Sequence, residues 1–251
     1  MMNLIKPFQS NIWLRFRQLW QSKGIKAVIS TTWTYFWMRF SGLGYWGRIS
    51  TWLATWLAPP YKMRRAFARY YQTGYIAPSA TIDHKNLKFG ANIFIGDRVK
   101  IVEDSSSGSV DLANSVYLHN DICIQTNNGG SLKIGADTHI QMRCQFLADQ
   151  AQIKIGSGVQ IASNCSFYLG DLGMTPYGLV NDQSSSIQAN IIVSDDVWFG
   201  HGAIILAGVH IGKGAVIGSG AVVDQDIPDG AIAVGVPARV IGTRIKTAKA
   251  A

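Results

Sequence analysis

The chain has 251 residues, of which 47% are hydrophobic, and its formal net charge at pH 7 is +8. This length and apolar content allow one elongated domain with a sizeable core, plus an appendage. The three cysteines are an odd number and form no C-x-x-C pair, which argues against a disulfide framework and a zinc site. We therefore expect a reducing compartment. Because no signal-peptide cleavage pattern follows the first apolar stretch, we expect a cytoplasmic location.

Charge is distributed unevenly along the chain. Residues 1–75 contain 11 Lys and Arg and no Asp or Glu, whereas the remainder contains 12 basic and 15 acidic residues. Seven of the eight tryptophans also lie within the first 56 residues. These differences predict a basic, Trp-rich extension at residues 1–75, followed by a compositionally distinct main domain.

The extension has the pattern of amphipathic helices. Trp33, Trp37 and Phe40 are spaced i, i+4, i+7 and would share one helix face. The longest uncharged runs, 27–38 and 49–61, are shorter than the roughly 20 residues that a membrane-spanning helix needs. A second apolar face contains Ile49, Leu53, Trp56 and Leu57.

A basic, aromatic and acid-free composition is typical of segments that lie in a membrane surface. Trp and Tyr favour the headgroup level, and Lys and Arg attract anionic lipid. We predict that residues 1–73 dock peripherally on the inner face of a membrane, on anionic lipid or on a membrane protein. Packing of these faces on the main domain is the other interpretation. Nucleic-acid binding is disfavoured, because such binders seldom place Trp pairs on helical faces.

Residues Val193 to Pro228 repeat one six-residue pattern six times. An aliphatic or aromatic residue opens each hexad, and a small or β-branched residue stands four places later. Neither the helical period nor strand alternation gives this spacing. Three hexads, each a short strand and a corner, predict a coil of about 18 residues in a three-sided β-solenoid. The opening residues are Val193, Phe199, Ile205, Ile211, Ile217 and Val223.

The repeat begins at Ile76, and its early coils carry extra polar residues at one corner. Successive coils there start 23, 22 and 21 residues apart, which predicts a stacked edge of irregular loops. A longer interruption, Phe167 to Ala189, predicts a protruding loop. We assign residues 76–230 to the solenoid and 231–251 to a closing segment and tail.

The hexads also predict details of the solenoid interior. Cys144 and Cys165 occupy the fifth place of their hexads and should be buried in adjacent coils as small hydrophobes. Glycine directly after an opening residue suits a corner where φ is positive or backbones come close. The open ends need covering, and we expect the helical extension to cover one end and the closing segment the other.

Three segments of the sequence are similar to motifs of a known family. They are Val197-Trp198-Phe199-Gly200, Val216-Ile217-Gly218-Ser219-Gly220 and Gly235-Val236-Pro237-Ala238-Arg239-Val240-Ile241. In order and spacing they resemble the hexapeptide-repeat acyltransferases. The resemblance implies a mainly β fold, a left-handed parallel β-helix, and a homotrimer with its sites between subunits. It also implies acetyl-CoA or another acyl-CoA as co-substrate, and a loop histidine as general base.

The catalytic loop departs from the family pattern. Where similar proteins tend to have Asp-His-Gly, this chain has Asp171-Leu172-Gly173, and leucine cannot transfer a proton. Asp171 either orients a base or caps its loop. His201, which opens the corner after the loop, is the fallback candidate for the base. The alternative is that it is solvated or contacts CoA.

The resemblance also implies a donor site with altered charge. The family often has Thr-Lys where Asp224-Gln225 stands, so a carboxylate replaces a partner of the CoA phosphates. Positions matching the CoA contacts are His201, Gly202, Ala203, Ser219, Asp224, Gln225 and Arg239.

The other histidines carry weaker signals. His119 and His139 are expected on the surface of the solenoid wall, and His84 and His210 have no evident partner in the sequence. The related γ-class carbonic anhydrases bind zinc through three histidines, but the spacing of His119 and His139 does not reproduce that set with a third ligand. We expect no metal.

Two functions follow from these observations. One is an acyl-CoA-dependent O-acyltransferase acting on a glycan or lipid-linked sugar at the membrane surface. The other is a catalytically inactive trimer of the same fold that serves as a scaffold or assembly subunit on a membrane or membrane complex. The repeat favours the first, whereas Leu172 and Asp224 favour the second.

Overall fold

The computed structural model describes residues 29–30, 32–42, 44–57, 64–65, 68, 72, 74–104, 107–169 and 189–244. Helix α1 covers residues 32–38 and helix α2 covers Tyr45–Trp56; residues 29–30, 64–65 and 68 are also helical. In the described part, no helix combines the length and apolarity needed to cross a bilayer. The predicted helices before residue 29 lie outside the described residues.

Twenty-two short strands follow the helices in the described residues. In chain order they are β1 (Tyr75–Ile76), β2 (Thr81–Asp83), β3 (Leu87–Phe89), β4 (Phe94–Ile95), β5 (Lys100–Glu103), β6 (Ser109–Leu112), β7 (Tyr117–Leu118), β8 (Cys123–Asn127), β9 (Ser131–Ile134), β10 (His139–Ile140), β11 (Gln145–Asp149), β12 (Gln152–Ile155), β13 (Gln160–Ile161), β14 (Ser166–Tyr168), β15 (Ile191–Val193), β16 (Trp198–Phe199), β17 (Ile204–Leu206), β18 (His210–Ile211), β19 (Val216–Ile217), β20 (Val222–Val223), β21 (Ala231–Val234) and β22 (Arg239–Thr243).

The strands form three parallel sheets, one per side of the solenoid. Sheet A runs β1-β4-β7-β10-β13-β16-β19-β21-β22, sheet B runs β2-β5-β8-β11-β14-β17-β20, and sheet C runs β3-β6-β9-β12-β15-β18. Each strand up to β17 pairs with the strand three places later; β19 then pairs with β21, which pairs antiparallel with β22. The three-sided β-solenoid predicted from the hexads is confirmed, with about six turns, and so is the left-handed parallel β-helix that the resemblance implies.

The hexad places have distinct conformations. In most hexads the fourth place has positive φ, as in Asn164 (φ +63°), Asp196 (+59°) and Gly214 (+68°). The second place is a close approach of backbones, since a Cβ on Gly156 would lie 2.6 Å from the carbonyl carbon of Ser194. Positive φ thus explains the glycines at the fourth place, and close backbone approach explains those at the second place.

The core consists of opening and fifth-place side chains stacked coil on coil. Phe146 stacks on Phe167 with ring centroids 4.8 Å apart, and Phe167 meets Phe199 edge-on at 5.3 Å. Cys144 and Cys165 are both buried, as predicted. A hydrogen bond with Cys165 and burial together raise the pKa of the Cys144 thiol.

The extension packs along the outer side of sheet A. Tyr75, Phe94, Tyr117 and His139 come from four successive strands of this sheet, and their rings form a ladder with centroids 5.4, 6.1 and 4.4 Å apart. Arg65 lies over the Tyr117 ring at 5.4 Å, which is a cation–π distance. The extension was expected to cover one open end of the solenoid. Its described residues also pack against the outer face of sheet A.

Several polar contacts fix the extension to the first coils. The Arg64 guanidinium forms a 2.9 Å ion pair with Asp97. Arg48 donates to the carbonyls of Pro78 and Ala80, both at 2.6 Å. At the other end, β22 covers β21 and closes sheet A.

Candidate active site

The regular tract builds a stacked corner between sheets A and B. Residues 200–203 connect β16 to β17, and residues 218–221 connect β19 to β20 one coil further on. The amide N–H of Gly220 donates to the carbonyl of His201 at 2.8 Å. Corner residues 18 apart in sequence are therefore adjacent in space, and His201 lies directly over the Ser219–Gly220 corner.

His201 is exposed at this corner and contacts one side chain from the preceding coil. The amide of Asn164 lies 3.1 Å from its Nε2 atom. Asn164 is placed there by its left-handed backbone, which asparagine adopts more readily than most residues. The stack is continued by Gly202, whose N–H donates to the carbonyl of Ser163 at 3.0 Å.

Asn164 is a site residue that the sequence reasoning missed. The signal was available, because Asn164 takes the fourth place of the last hexad before the long interruption. Stacking that hexad on the one opened by Phe199 places Asn164 beside His201. The interruption hides this adjacency, since 37 residues separate the two side chains in the sequence.

Two glycines leave the corner open. Gly202 and Gly220 have φ of +72° and +69°, and no atom lies within 4 Å of where a Cβ would stand on either. Ser219 is exposed beside them. Ala203, in contrast, is completely buried in the core, so its side chain cannot contact a ligand. The open backbone at this corner is suited to a narrow, extended ligand.

The residues predicted to meet the CoA phosphates form their own ion pair. Arg239 Nη1 lies 3.2 Å from Asp224 Oδ1 and donates to the Ala238 carbonyl at 2.7 Å. Gln225 lies 3.5 Å from the same carbonyl. Asp224 thus forms an ion pair with Arg239 and compensates its positive charge. Both side chains are exposed.

The outer face of sheet B lies between this pair and the His201 corner. Tyr168, Ile204 and Leu206 are exposed on it, and Tyr168 and Leu206 are register partners in β14 and β17. The protruding loop was predicted to begin at Phe167, but it begins later. Phe167 belongs to β14, where it is buried and stacks on Phe146. Asp171 and Leu172 lie outside the described residues.

The expectation that His119 lies on the surface is wrong. His119 is buried, and its ring centroid is 5.8 Å from that of Phe94. Burial, followed by the positive charge of Arg65 and the proximity of His139, lowers the pKa of His119 to about 4. His139 is half-buried, stacks on Tyr117, and has Nδ1 3.5 Å from Arg65 Nη2. The hexad pattern alone predicts that His119 and His139 lie on the outer surface of the solenoid. The extension packs over this surface and covers them.

The remaining histidines have structural partners. His84 Nε2 lies 3.0 Å from Thr126 Oγ1, and its Nδ1 accepts the Asn86 N–H at 3.2 Å. His210 Nε2 lies 3.4 Å from Ser194 Oγ. Among the residues that the structure describes, no three His, Cys, Asp or Glu side chains are grouped as metal ligands.

Parts of the chain are similar to known proteins. Residues 190–225 match the family description "Bacterial transferase hexapeptide (six repeats)". A Schizosaccharomyces pombe protein named as a candidate acetyltransferase is 37% identical over 115 residues, covering 45% of this chain and 53% of the relative. A Mycobacterium tuberculosis protein named as a candidate acetyltransferase is 31% identical over 152 residues, covering 61% and 50%. The chain spans about half the length of these relatives.

A hexapeptide-repeat acetyltransferase from Vibrio cholerae is similar in structure. It aligns with a TM-score of 0.42 and 30% sequence identity, covering 45% of this chain and 63% of the other. The chain therefore carries, at residues 190–225, the hexapeptide repeat that is named for bacterial transferases, and over part of its length it is similar to proteins named as acetyltransferases.

Proposed function

We propose that this protein is an acyl-CoA-dependent O-acyltransferase that acts on a glycan or lipid-linked sugar at a membrane surface. The observation that carries the proposal is the exposed His201, held by Asn164 over the open Ser219–Gly220 corner. This corner belongs to the tract that matches the transferase repeat. The relatives named as acetyltransferases support an acyl-CoA donor.

In the proposed reaction, His201 acts as general base. It takes the proton of the acceptor hydroxyl while that oxygen attacks the thioester carbonyl. Collapse of the tetrahedral intermediate breaks the carbon–sulfur bond, and the proton passes to the CoA thiolate. The products are the acyl ester and free CoA. Backbone N–H groups at the corner are the candidate donors to the oxyanion.

Asn164 decides which imidazole nitrogen can accept the proton. Because its amide lies against Nε2, the nitrogen left for substrate is Nδ1. In the structure Asn164 Nδ2 faces Nε2; Nδ1 becomes basic when the amide is turned over, so that its Oδ1 accepts the Nε2 proton. Asn164 is thus a positioning residue that selects the tautomer of His201.

The donor would lie along the open corner with its phosphates near Arg239. The Asp224–Arg239 ion pair reduces the attraction for phosphate, so we expect weak donor binding. Replacing Asp224 with Asn frees the guanidinium and should tighten it. A homotrimer, as the family resemblance implies, would form the acceptor cleft against the exposed face of sheet B.

The proposed membrane location rests on the basic, acid-free residues 1–75. Docking at the inner face would bring the corner to a lipid-borne acceptor. The competing function, a catalytically inactive scaffold or assembly trimer, is favoured by Leu172 in the catalytic loop and by the compensated Arg239.

The test is calorimetric titration of the full-length protein with acetyl-CoA, followed by a free-thiol release assay with a panel of sugars. We expect binding at or below millimolar donor and acceptor-dependent thiol release. Release should fall by roughly 100-fold or more in His201→Ala, since general base catalysis typically contributes 10²–10⁴-fold.

His210→Ala is the matched control, because it removes another exposed histidine on a different sheet. Asn164→Leu should lower kcat with little change in donor affinity, whereas Asn164→Asp should preserve activity by holding the Nε2 proton. Absence of donor binding at millimolar acetyl-CoA refutes the enzyme and favours the scaffold. Turnover that survives His201→Ala refutes the assigned base.

A further inference from the structure

We propose that the α1–α2 hairpin, the described residues of 29–57, is the lipid-contacting element and lies in the headgroup layer of an anionic bilayer. The inference rests on the membrane location proposed above and names the surface responsible. That surface, the aromatic exterior, consists of Ile29, Trp33, Phe36, Phe40, Tyr45, Trp46, Trp52 and Trp56.

The burial pattern of α2 is the reverse of that expected for a helix on a water-soluble core. Its buried residues are Ser50, Thr51, Ala54 and Thr55. Its large side chains face outward, with Tyr45 75%, Trp46 78% and Trp56 69% exposed. Small residues allow helices to approach closely, as in helix pairs within membranes. The large apolar side chains of α2 therefore face outward, where they are available to contact a membrane.

Three side-chain donors of the hairpin are paired across it. Thr34 Oγ1 donates to the Ala54 carbonyl at 3.0 Å, Ser50 Oγ to the Trp37 carbonyl at 2.5 Å, and the Trp33 indole N–H to the Leu53 carbonyl at 2.7 Å. Each donor crosses between the two helical segments. Internal pairing lowers the cost of moving the hairpin out of water, because unpaired donors are costly in an apolar phase.

A cleft between the hairpin and the first coil continues the aromatic exterior. It has a volume of about 490 Å³ and is lined by Tyr45, Arg48, Ile49, Trp52 and Pro78. Aromatic and aliphatic walls with one guanidinium match the junction between a lipid phosphate and its acyl chains.

Composition selects lipid over protein as the occupant. The exterior is rich in Trp and Tyr, which concentrate at membrane interfaces. No acidic residue occurs among residues 1–75 to oppose an anionic surface. A second copy of this hairpin would instead bring equally basic segments together, which repel each other.

Vesicle flotation of the full-length protein tests the inference, using phosphatidylcholine vesicles with and without phosphatidylglycerol. Wild type should float with the anionic vesicles. Trp46→Gln/Trp52→Gln/Trp56→Gln should partition roughly tenfold less, because three exposed indoles leave the interface. Trp198→Gln is the matched control, since Trp198 is exposed on the solenoid, and it should float like wild type.

Brominated lipids supply a measurement on the unmodified protein. They should quench the tryptophan fluorescence of wild type, and this quenching should be lost in the triple variant but retained in Trp198→Gln. Unquenched fluorescence, or equal flotation of wild type and triple variant, overturns the inference. So does a wild-type oligomer that dissociates in the triple variant without any flotation, because the occupant is then a second copy.

Thiol release is measured separately with a soluble sugar acceptor. The triple variant should retain wild-type release, since the exterior is remote from the His201 corner in the chain and in the sheet order. Flotation without thiol release refutes the acyltransferase and leaves the lipid-binding hairpin standing. Release without flotation does the opposite.

Discussion

Acid should destabilise the contact between the extension and the solenoid through His119. This imidazole is buried beside Phe94 and the positive charge of Arg65, and its pKa is lowered to about 4 from the ordinary 6.5. Between these values the unfolded chain binds a proton that the folded protein does not. Stability from this group is therefore complete above pH 6.5 and is lost progressively as the pH falls toward 4.

The size of the effect follows from the two pKa values. At pH 5 the difference corresponds to about 2 kcal/mol, which partial solvent screening reduces to roughly 1 kcal/mol. For a chain of this size the melting temperature should fall by about 2–4 °C more in wild type than in His119→Gln between pH 7.5 and pH 5.

NMR titration of carbon-13-labelled histidine, with His119 assigned by its absence in His119→Gln, checks the pKa directly. His210→Gln, at an exposed position, is the control and should follow wild type in the melting series. An imidazole of His119 that titrates near 6.5, or wild-type and His119→Gln melting curves that shift in parallel with pH, would refute this reasoning.

Three further predictions concern the solenoid. Gly156→Ala should lower the melting temperature by several degrees, because its Cβ would clash with the backbone of the next coil, whereas Gly242→Ala, with open space, should not. Phe167→Ala should cost about 3–5 kcal/mol in a urea titration, since the ring is completely buried; a loss below 1 kcal/mol would contradict the stacked core. In the native protein a thiol reagent should modify Cys123 first, and all three cysteines only after unfolding.

The solenoid could be predicted from the sequence because its rule is local. All six opening residues of the regular tract, Phe199 and Ile217 among them, are buried where the hexad register places them. The same register placed Cys144 and Cys165 correctly. It failed to show that Asn164 meets His201, because the long interruption separates two coils that stack directly.

The extension could be predicted only in part. Which helix face is buried depends on what surrounds the helices, and the sequence pattern does not specify this. Apolar periodicity predicted amphipathic helices, but α2 buries Thr51 and Ala54 and exposes Trp46. A pattern rule that assigns the large apolar side chains to the core assumes water outside. The burial of His119 was missed for a related reason, because covering by a neighbouring segment is not a property of the hexad.

The aromatic ladder on sheet A has a consequence for how the molecule unfolds. In a solenoid each coil contacts only its neighbours, so terminal coils can fray one at a time. Here the rings of Tyr75, Phe94, Tyr117 and His139 join four coils, and Arg65 reaches two of them from the side. The ladder joins each of these coils to the next, and the extension links the second, third and fourth coils through Arg64 on Asp97 and Arg65 on Tyr117 and His139. The first four coils should therefore open as one cooperative unit. Hydrogen exchange should then report one shared opening free energy for these coils and a graded series for the coils that follow.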